Sequence, residues 1–120
     1  MREIKVLLAE DEALVRFVVA EELRDLGWIV TEVATADDGI EMLQSGERFD
    51  LIVTDINMPG DTDGLDLARV VRSVDASAKI AVMSGRPSMN SAADLCDLYL
   101  PKPSWDLGRE FGELLGLEPR

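Results

Sequence analysis

The chain has 120 residues, 12 of them basic and 24 acidic, no histidine, and a net charge of −12 at pH 7. With 47% hydrophobic residues it has enough apolar material for one buried core, while its charge excludes a general affinity for nucleic acid or anionic membrane surfaces. The missing imidazoles exclude histidine bases, histidine triads and His-ligated zinc, and the single thiol, Cys96, excludes an intrachain disulfide or a cysteine metal site.

Cys96 reads as a small buried hydrophobe in a reducing compartment. No run of about 18 uncharged residues offers a membrane span, so the expected setting is the cytoplasm. Divalent cations and basic protein surfaces are the partners that suit the charge.

Short apolar runs alternate with stretches of helical period. Val6-Leu7-Leu8-Ala9 is nearly continuous in hydrophobicity, as a parallel strand covered on both faces should be. Val15, Val18, Val19, Leu23 and Leu26 then recur at helical spacing, and Gly27 supplies a stop. Ile29 to Val33 is a weaker second strand, followed by a helix from Ala36 to Ser45 with Gly46 behind it. Leu51-Ile52-Val53-Thr54 is the third strand, and a helix from about Leu65 to Val74 follows with Asp63 as its N-cap. Ile80-Ala81-Val82-Met83 is the fourth strand. The stretch from Ser84 to Asp97 holds Gly85, Pro87, Ser88, Asn90 and Ser91, which leaves room only for a short or irregular fourth helix. Leu98 to Leu100 forms a fifth strand, and Trp105 to Leu115 a last helix weakened by Gly108 and Gly112.

This alternation predicts a single α/β domain over residues 1–120 with an open, doubly wound parallel sheet, because parallel neighbours require crossover connections. Ligands of such sheets sit beyond the carboxyl ends of the strands. The first strand is followed by Glu10, Asp11 and Glu12, the third by Asp55 and Asn57, the fourth by Ser84 and Gly85, and the fifth by Lys102 and Pro103. The second strand is followed only by Ala34, Thr35 and Ala36, which suits an edge position away from the pocket.

Glu10, Asp11 and Asp55 are thereby expected to converge. Clustered carboxylates repel unless a cation lies among them, and an all-oxygen ligand set selects Mg²⁺, or Mn²⁺, over zinc. Asp11 has a competing role as N-cap of the first helix. Asp55 is too far ahead of the third helix to cap it, since Pro59, Gly60 and Asp61-Thr62-Asp63-Gly64 intervene. Lys102, between two prolines, is either solvated or positioned to balance an anion carried into the site. Ser84 is either a turn residue or a hydroxyl lining the same pocket. A carboxylate nucleophile, a metal, an ammonium and a hydroxyl together suit phosphoryl transfer to Asp55, a reaction that depends on positioning and charge neutralisation.

These fragments, in this order, resemble the receiver domain of two-component response regulators. The likeness rests on Val6-Leu7-Leu8-Ala9-Glu10-Asp11-Glu12, on Leu51-Ile52-Val53-Thr54-Asp55-Ile56-Asn57-Met58-Pro59 with Asp63-Gly64-Leu65, on Met83-Ser84-Gly85, and on Tyr99-Leu100-Pro101-Lys102-Pro103. It covers essentially the whole chain. The resemblance implies a flavodoxin-like (βα)5 sheet of order 2-1-3-4-5, and a phosphoryl group taken from a phosphohistidine on a sensor histidine kinase or histidine phosphotransfer protein. It makes Asp55 the phosphoacceptor. Asp11 and Asp55 become direct Mg²⁺ ligands, Asn57 a ligand through its backbone carbonyl, and Glu10 a ligand through water. Lys102 pairs with a phosphoryl oxygen, and the Lys102–Pro103 bond is cis. Ser84 and Tyr99 become switch residues that reshape a protein-binding face read by an unknown downstream target. On its own residues Tyr99 reads as a half-buried core aromatic.

Two departures accompany the likeness. The loop between Pro59 and Gly64 is one residue longer than the common pattern, and only 18 positions separate Ser84 from Lys102. The second matches a minority of stand-alone receivers whose fourth-helix region is loop-like, and it places the usual signalling surface in question. Arg86 stands where it would affect water access to an acyl phosphate. Two other readings compete: a receiver-like interaction module that works without phosphorylation, and, remotely, an aspartate-nucleophile phosphohydrolase. The hydrolase needs a second acid two residues after its nucleophile, where this chain has Asn57.

Overall fold

A computed structural model of the chain describes residues 3–56, 62–84, 95–101 and 106–117, with only the backbone of Ser84 and Pro101. Five strands, β1 (Lys5–Ala9), β2 (Ile29–Val33), β3 (Leu51–Asp55), β4 (Lys79–Ser84) and β5 (Leu98–Pro101), alternate with α1 (Ala13–Asp25), α2 (Ala36–Gln44), α3 (Gly64–Val74) and α4 (Leu107–Leu114). All strand pairs are parallel, and the sheet order is β2-β1-β3-β4-β5.

This is the order that the family resemblance implies, and the burial of the strands agrees with it. Every residue of β3 is buried and four of five in β1 are, whereas β2 alternates between exposed and covered positions as an edge strand does. Successive side chains point to opposite faces, which divides the core in two. Val6, Leu8, Leu51, Val53, Ala81 and Met83 pack with Val19 and Leu23 of α1 and with Leu107 and Phe111 of α4. Leu7, Ala9, Ile52, Ile80 and Val82 pack on the other face with Leu43 of α2 and with Leu67 and Val71 of α3. Cys96 is half-buried against this second layer, where desolvation and then the neighbouring Asp97 push its thiol pKa up. That is the behaviour of a packing residue.

Helix boundaries come from local chemistry. Gly27 (φ +87°) and Gly46 (φ +104°) take the left-handed conformation that ends α1 and α2. Thr35 caps α2 by accepting the Asp38 N–H at 3.1 Å. Asp63 caps α3 in a reciprocal box, accepting from Leu65 and Asp66 N–H while the Asp66 carboxylate accepts the Asp63 N–H at 3.0 Å. That backbone bond is the main cause of the lowered Asp66 pKa.

The last helix begins later than the apolar pattern from Trp105 implies. Asp106 takes a left-handed conformation (φ 62°), and the Leu107 N–H donates to the Glu22 carboxylate of α1 at 2.9 Å. A cap from 85 positions away replaces a local one. Gly108 suits this packing, since a Cβ there would lie 2.9 Å from Leu26 Cδ1.

Between β4 and β5 the described residues, 95–97, form a turn and a bend without helix. The rest of the expected short fourth-helix region, including Arg86, lies outside the described residues. Among those described, no helix is long and apolar enough to cross a membrane.

Candidate functional site

The register aligns the carboxyl ends of the inner strands. Ala9 of β1 pairs with Val33 on one side and Thr54 on the other, Asp55 pairs with Met83, and Ser84 with Pro101. Glu10, Asp55, the Ser84 backbone and the end of β5 therefore share one edge. The starts of α1 and α3, which follow β1 and β3, open toward the same edge and bring partial positive charge with them.

Glu10 is 3% exposed, and its N–H donates to Val33 O at 3.1 Å. Its Oε2 accepts the Glu12 N–H at 3.3 Å, which curls the carboxylate back over the start of α1. Asp11 is exposed and does not cap the helix. The N-cap residue is Glu12, which makes no side-chain cap bond. Asp55 is 9% exposed. One carboxylate oxygen from each of Glu10, Asp11 and Asp55 lies within 4.8 Å of the others.

Two contacts hold the Asp55 backbone. The buried Thr54 hydroxyl donates to Asp55 O at 2.9 Å, and the start of α3 is pressed against the same carbonyl. The Gly64 N–H donates to Ile56 O at 3.1 Å, and a Cβ on Gly64 would stand 1.9 Å from Asp55 O and 2.8 Å from Asp55 C. Only glycine fits this approach.

At separations of about 4 to 5 Å, each pair of ionised carboxylates repels by about 1 kcal/mol in water and by several in a less polar surrounding. A divalent cation relieves this. The donor set, three carboxylate oxygens with open access from Asp11, has the hardness of a Mg²⁺ site.

The other sequence-derived candidates divide into two groups. Tyr99 is described: it lies in β5 opposite Val82 and packs, half-buried, against the core layer beneath α2 and α3. This is the core-aromatic environment that its own residue type suggests. Asn57, Lys102 with its bond to Pro103, and the Ser84 side chain lie outside the described residues.

Arg16, outside the apolar spacing of α1, is a further residue at this edge. In the structure its guanidinium Nη1 donates to Glu10 O at 2.8 Å, and its Nε lies 3.4 Å from the Glu32 carboxylate. The legible signal was its position: a cation near the positive end of a helix opposes the helix dipole unless its side chain has acceptors of its own.

Comparison with known proteins agrees with this layout. The family model for the response regulator receiver domain matches residues 6–104. The chain is 43% identical over 83 residues to the chemotaxis protein CheY of Pseudomonas aeruginosa, covering 67% of this chain and 64% of that protein. It is 32% identical over 117 residues to the response regulator receiver protein CpdR of Brucella abortus, covering 92% and 96% of the two chains. The crystal structure of a response regulator receiver protein from Sinorhizobium medicae superposes with a TM-score of 0.86 at 34% identity, over 96% of each chain. With its sheet order, its strand-end carboxylates and this match, the chain belongs to the response regulator receiver domain family.

Proposed function

We propose that residues 1–120 act as a single-domain response regulator that accepts a phosphoryl group on Asp55. The observation that carries this reading is the convergence of the Glu10, Asp11 and Asp55 carboxylates at the carboxyl edge of the sheet. An Asp55 carboxylate oxygen bonds to phosphorus as the phosphorus–nitrogen bond of a phosphohistidine breaks, and the imidazole leaves with the nitrogen electron pair. The chain has no histidine, so that group belongs to a partner, a sensor histidine kinase or a histidine phosphotransfer protein.

Thr54 and Gly64 fix the backbone from which Asp55 attacks. Glu10, Asp11, Asp55 and the Asn57 carbonyl would hold Mg²⁺, which when bound supplies positive charge against the phosphoryl oxygens. Lys102 balances the remaining oxygen charge. The new acyl phosphate draws the Ser84 hydroxyl inward, Tyr99 follows, and the surface near β5 changes between two states that a downstream protein distinguishes. The domain promotes its own phosphorylation and dephosphorylation and turns over no separate substrate.

The start of α1 supports a protein donor. Leu14, Phe17 and Val18, at helical spacing immediately after the acidic cluster, are 75%, 58% and 55% exposed. An apolar face beside an acidic site suits a partner that covers both.

Incubation with Mg²⁺ and a small acyl-phosphate donor, followed by intact mass measurement, tests the reading. Wild type gains one phosphoryl adduct, and Asp55→Asn gains none. No adduct from any donor or cognate kinase would instead favour an interaction module that works without phosphorylation, and turnover of a phosphomonoester would favour the hydrolase.

A further inference from the structure

We infer that Arg16 is a positioning residue for the cation site, acting through the peptide that joins Glu10 to Asp11. The inference rests on the Mg²⁺ reading above and adds a residue to it. Glu10 O belongs to the one peptide unit between two of the three clustered carboxylates, so its orientation sets the direction in which both side chains leave the backbone. The Arg16 Nη1 donates to that oxygen at 2.8 Å in a partly buried setting. On the other side of the same peptide plane's residue, the Glu10 N–H is held by Val33 O at 3.1 Å. Glu10 is thus tied at its N–H and its C=O to two different elements, β2 and α1.

Arg16 is itself anchored. Its Nε pairs with Glu32 of β2 at 3.4 Å, and Glu32 also pairs with Arg24 at 2.9 Å, whose Nη2 donates to Val30 O at 3.0 Å. The Arg16 side chain is 22% exposed and that of Glu32 is 29% exposed, so the pair is partly shielded, while Arg24 at 40% stands nearer solvent. The guanidinium fork is what the geometry uses: one nitrogen addresses the carbonyl while another addresses the carboxylate. A lysine ammonium supplies the charge without that fixed two-way geometry. The arrangement links the edge strand β2, which contributes no ligand, to the direction of the ligand-bearing loop.

Residues that orient metal ligands alter metal affinity without touching the ion, by about tenfold or more. Calorimetric Mg²⁺ titrations of wild type, Arg16→Ala, Arg16→Lys and Glu32→Gln, with urea unfolding of each in EDTA, test the inference without reference to phosphorylation. Arg16→Ala weakens Mg²⁺ association about tenfold, Arg16→Lys recovers part of the loss, and Glu32→Gln loses a smaller factor. Leu43→Ala, a core truncation beneath α2, lowers stability and leaves Mg²⁺ affinity unchanged. If Arg16→Ala does not fold, Arg16→Lys and Glu32→Gln carry the test. Unchanged affinity in folded Arg16 and Glu32 variants overturns the inference alone, as does an equal loss in Leu43→Ala. A wild type with no saturable Mg²⁺ heat overturns the cation reading and this inference together.

Discussion

At the amino edge of the sheet, carboxylates stand apart and each has its own donors; at the carboxyl edge they stand together. Asp50 accepts the Lys5 N–H at 2.9 Å. Asp97 accepts the Ile80 N–H at 2.8 Å and the Arg72 guanidinium at 2.6 Å. Burial works against the Asp97 charge, but the Ile80 N–H, Arg72 and Lys79 outweigh it and hold its pKa below the ordinary carboxylate value. Glu10, Asp11 and Asp55 instead share a space within 4.8 Å. The starts of α1 and α3 each add about half a positive charge beside that group. The amino edge uses its acids to hold strands in register, while the carboxyl edge gathers three acids in a space that suits a divalent cation.

The largest effect should come from the junction that holds Asp55. Gly64→Ala forces α3 away from the Asp55 carbonyl and is expected to cost about 3 kcal/mol in urea unfolding, with loss of the phosphoryl adduct. A variant as stable and reactive as wild type would show that Asp55 does not depend on this contact.

Next in size is Asp97→Asn, expected to lose about 1 to 2 kcal/mol at pH 7 because charge-assisted bonds become neutral ones. The folded pKa of Asp97 is depressed, so its contribution is present above the unfolded value of about 3.9 and disappears as pH falls through the lower folded one. The neighbouring Cys96 thiol, its pKa raised, remains protonated across that window, so unfolding curves of wild type and variant should converge in acid. A difference that persists unchanged below both values would mean that the Asp97 contacts do not depend on its charge.

The smallest effect has the opposite sign. Asp11→Asn in EDTA should stabilise the fold by about 0.5 to 1 kcal/mol, because it removes like-charge repulsion at an exposed position. Saturating Mg²⁺ should reverse the order, with wild type gaining more than the variant in thermal unfolding. Destabilisation in EDTA would erase the contrast between the two edges.

Much of this was legible in the chain. Continuous apolar runs at Val6–Ala9 and Leu51–Thr54 marked central strands, and Ala34-Thr35-Ala36 marked β2 as an edge. Asp63, Gly27 and Gly46 marked helix ends, because capping acts within a few residues of the backbone it satisfies. The grouping of Glu10, Asp11 and Asp55 was readable because parallel strands deliver all their carboxyl ends to one edge. The roles of Arg16, of Glu22 at the start of α4 and of Gly108 against Leu26 were not readable in the same way. Each depends on a partner supplied by another element, and Glu22 acts 85 positions from the N–H it satisfies.

The alternation of strands and helices, the edge position of β2 and the identity of the clustered acids were settled by residue type and spacing alone, since hydrophobic period and strand polarity are local properties, while the full strand order came from the family resemblance and is seen in the sheet. Tertiary structure alone decided that Asp11 leaves the capping position to Glu12, that α3 bears directly on the Asp55 carbonyl, and that β2 reaches the acidic loop through Arg16. These are matters of ångström-scale approach between elements distant in sequence. Pattern establishes which elements meet, but the distance at which they meet is set only when both faces of the sheet are packed.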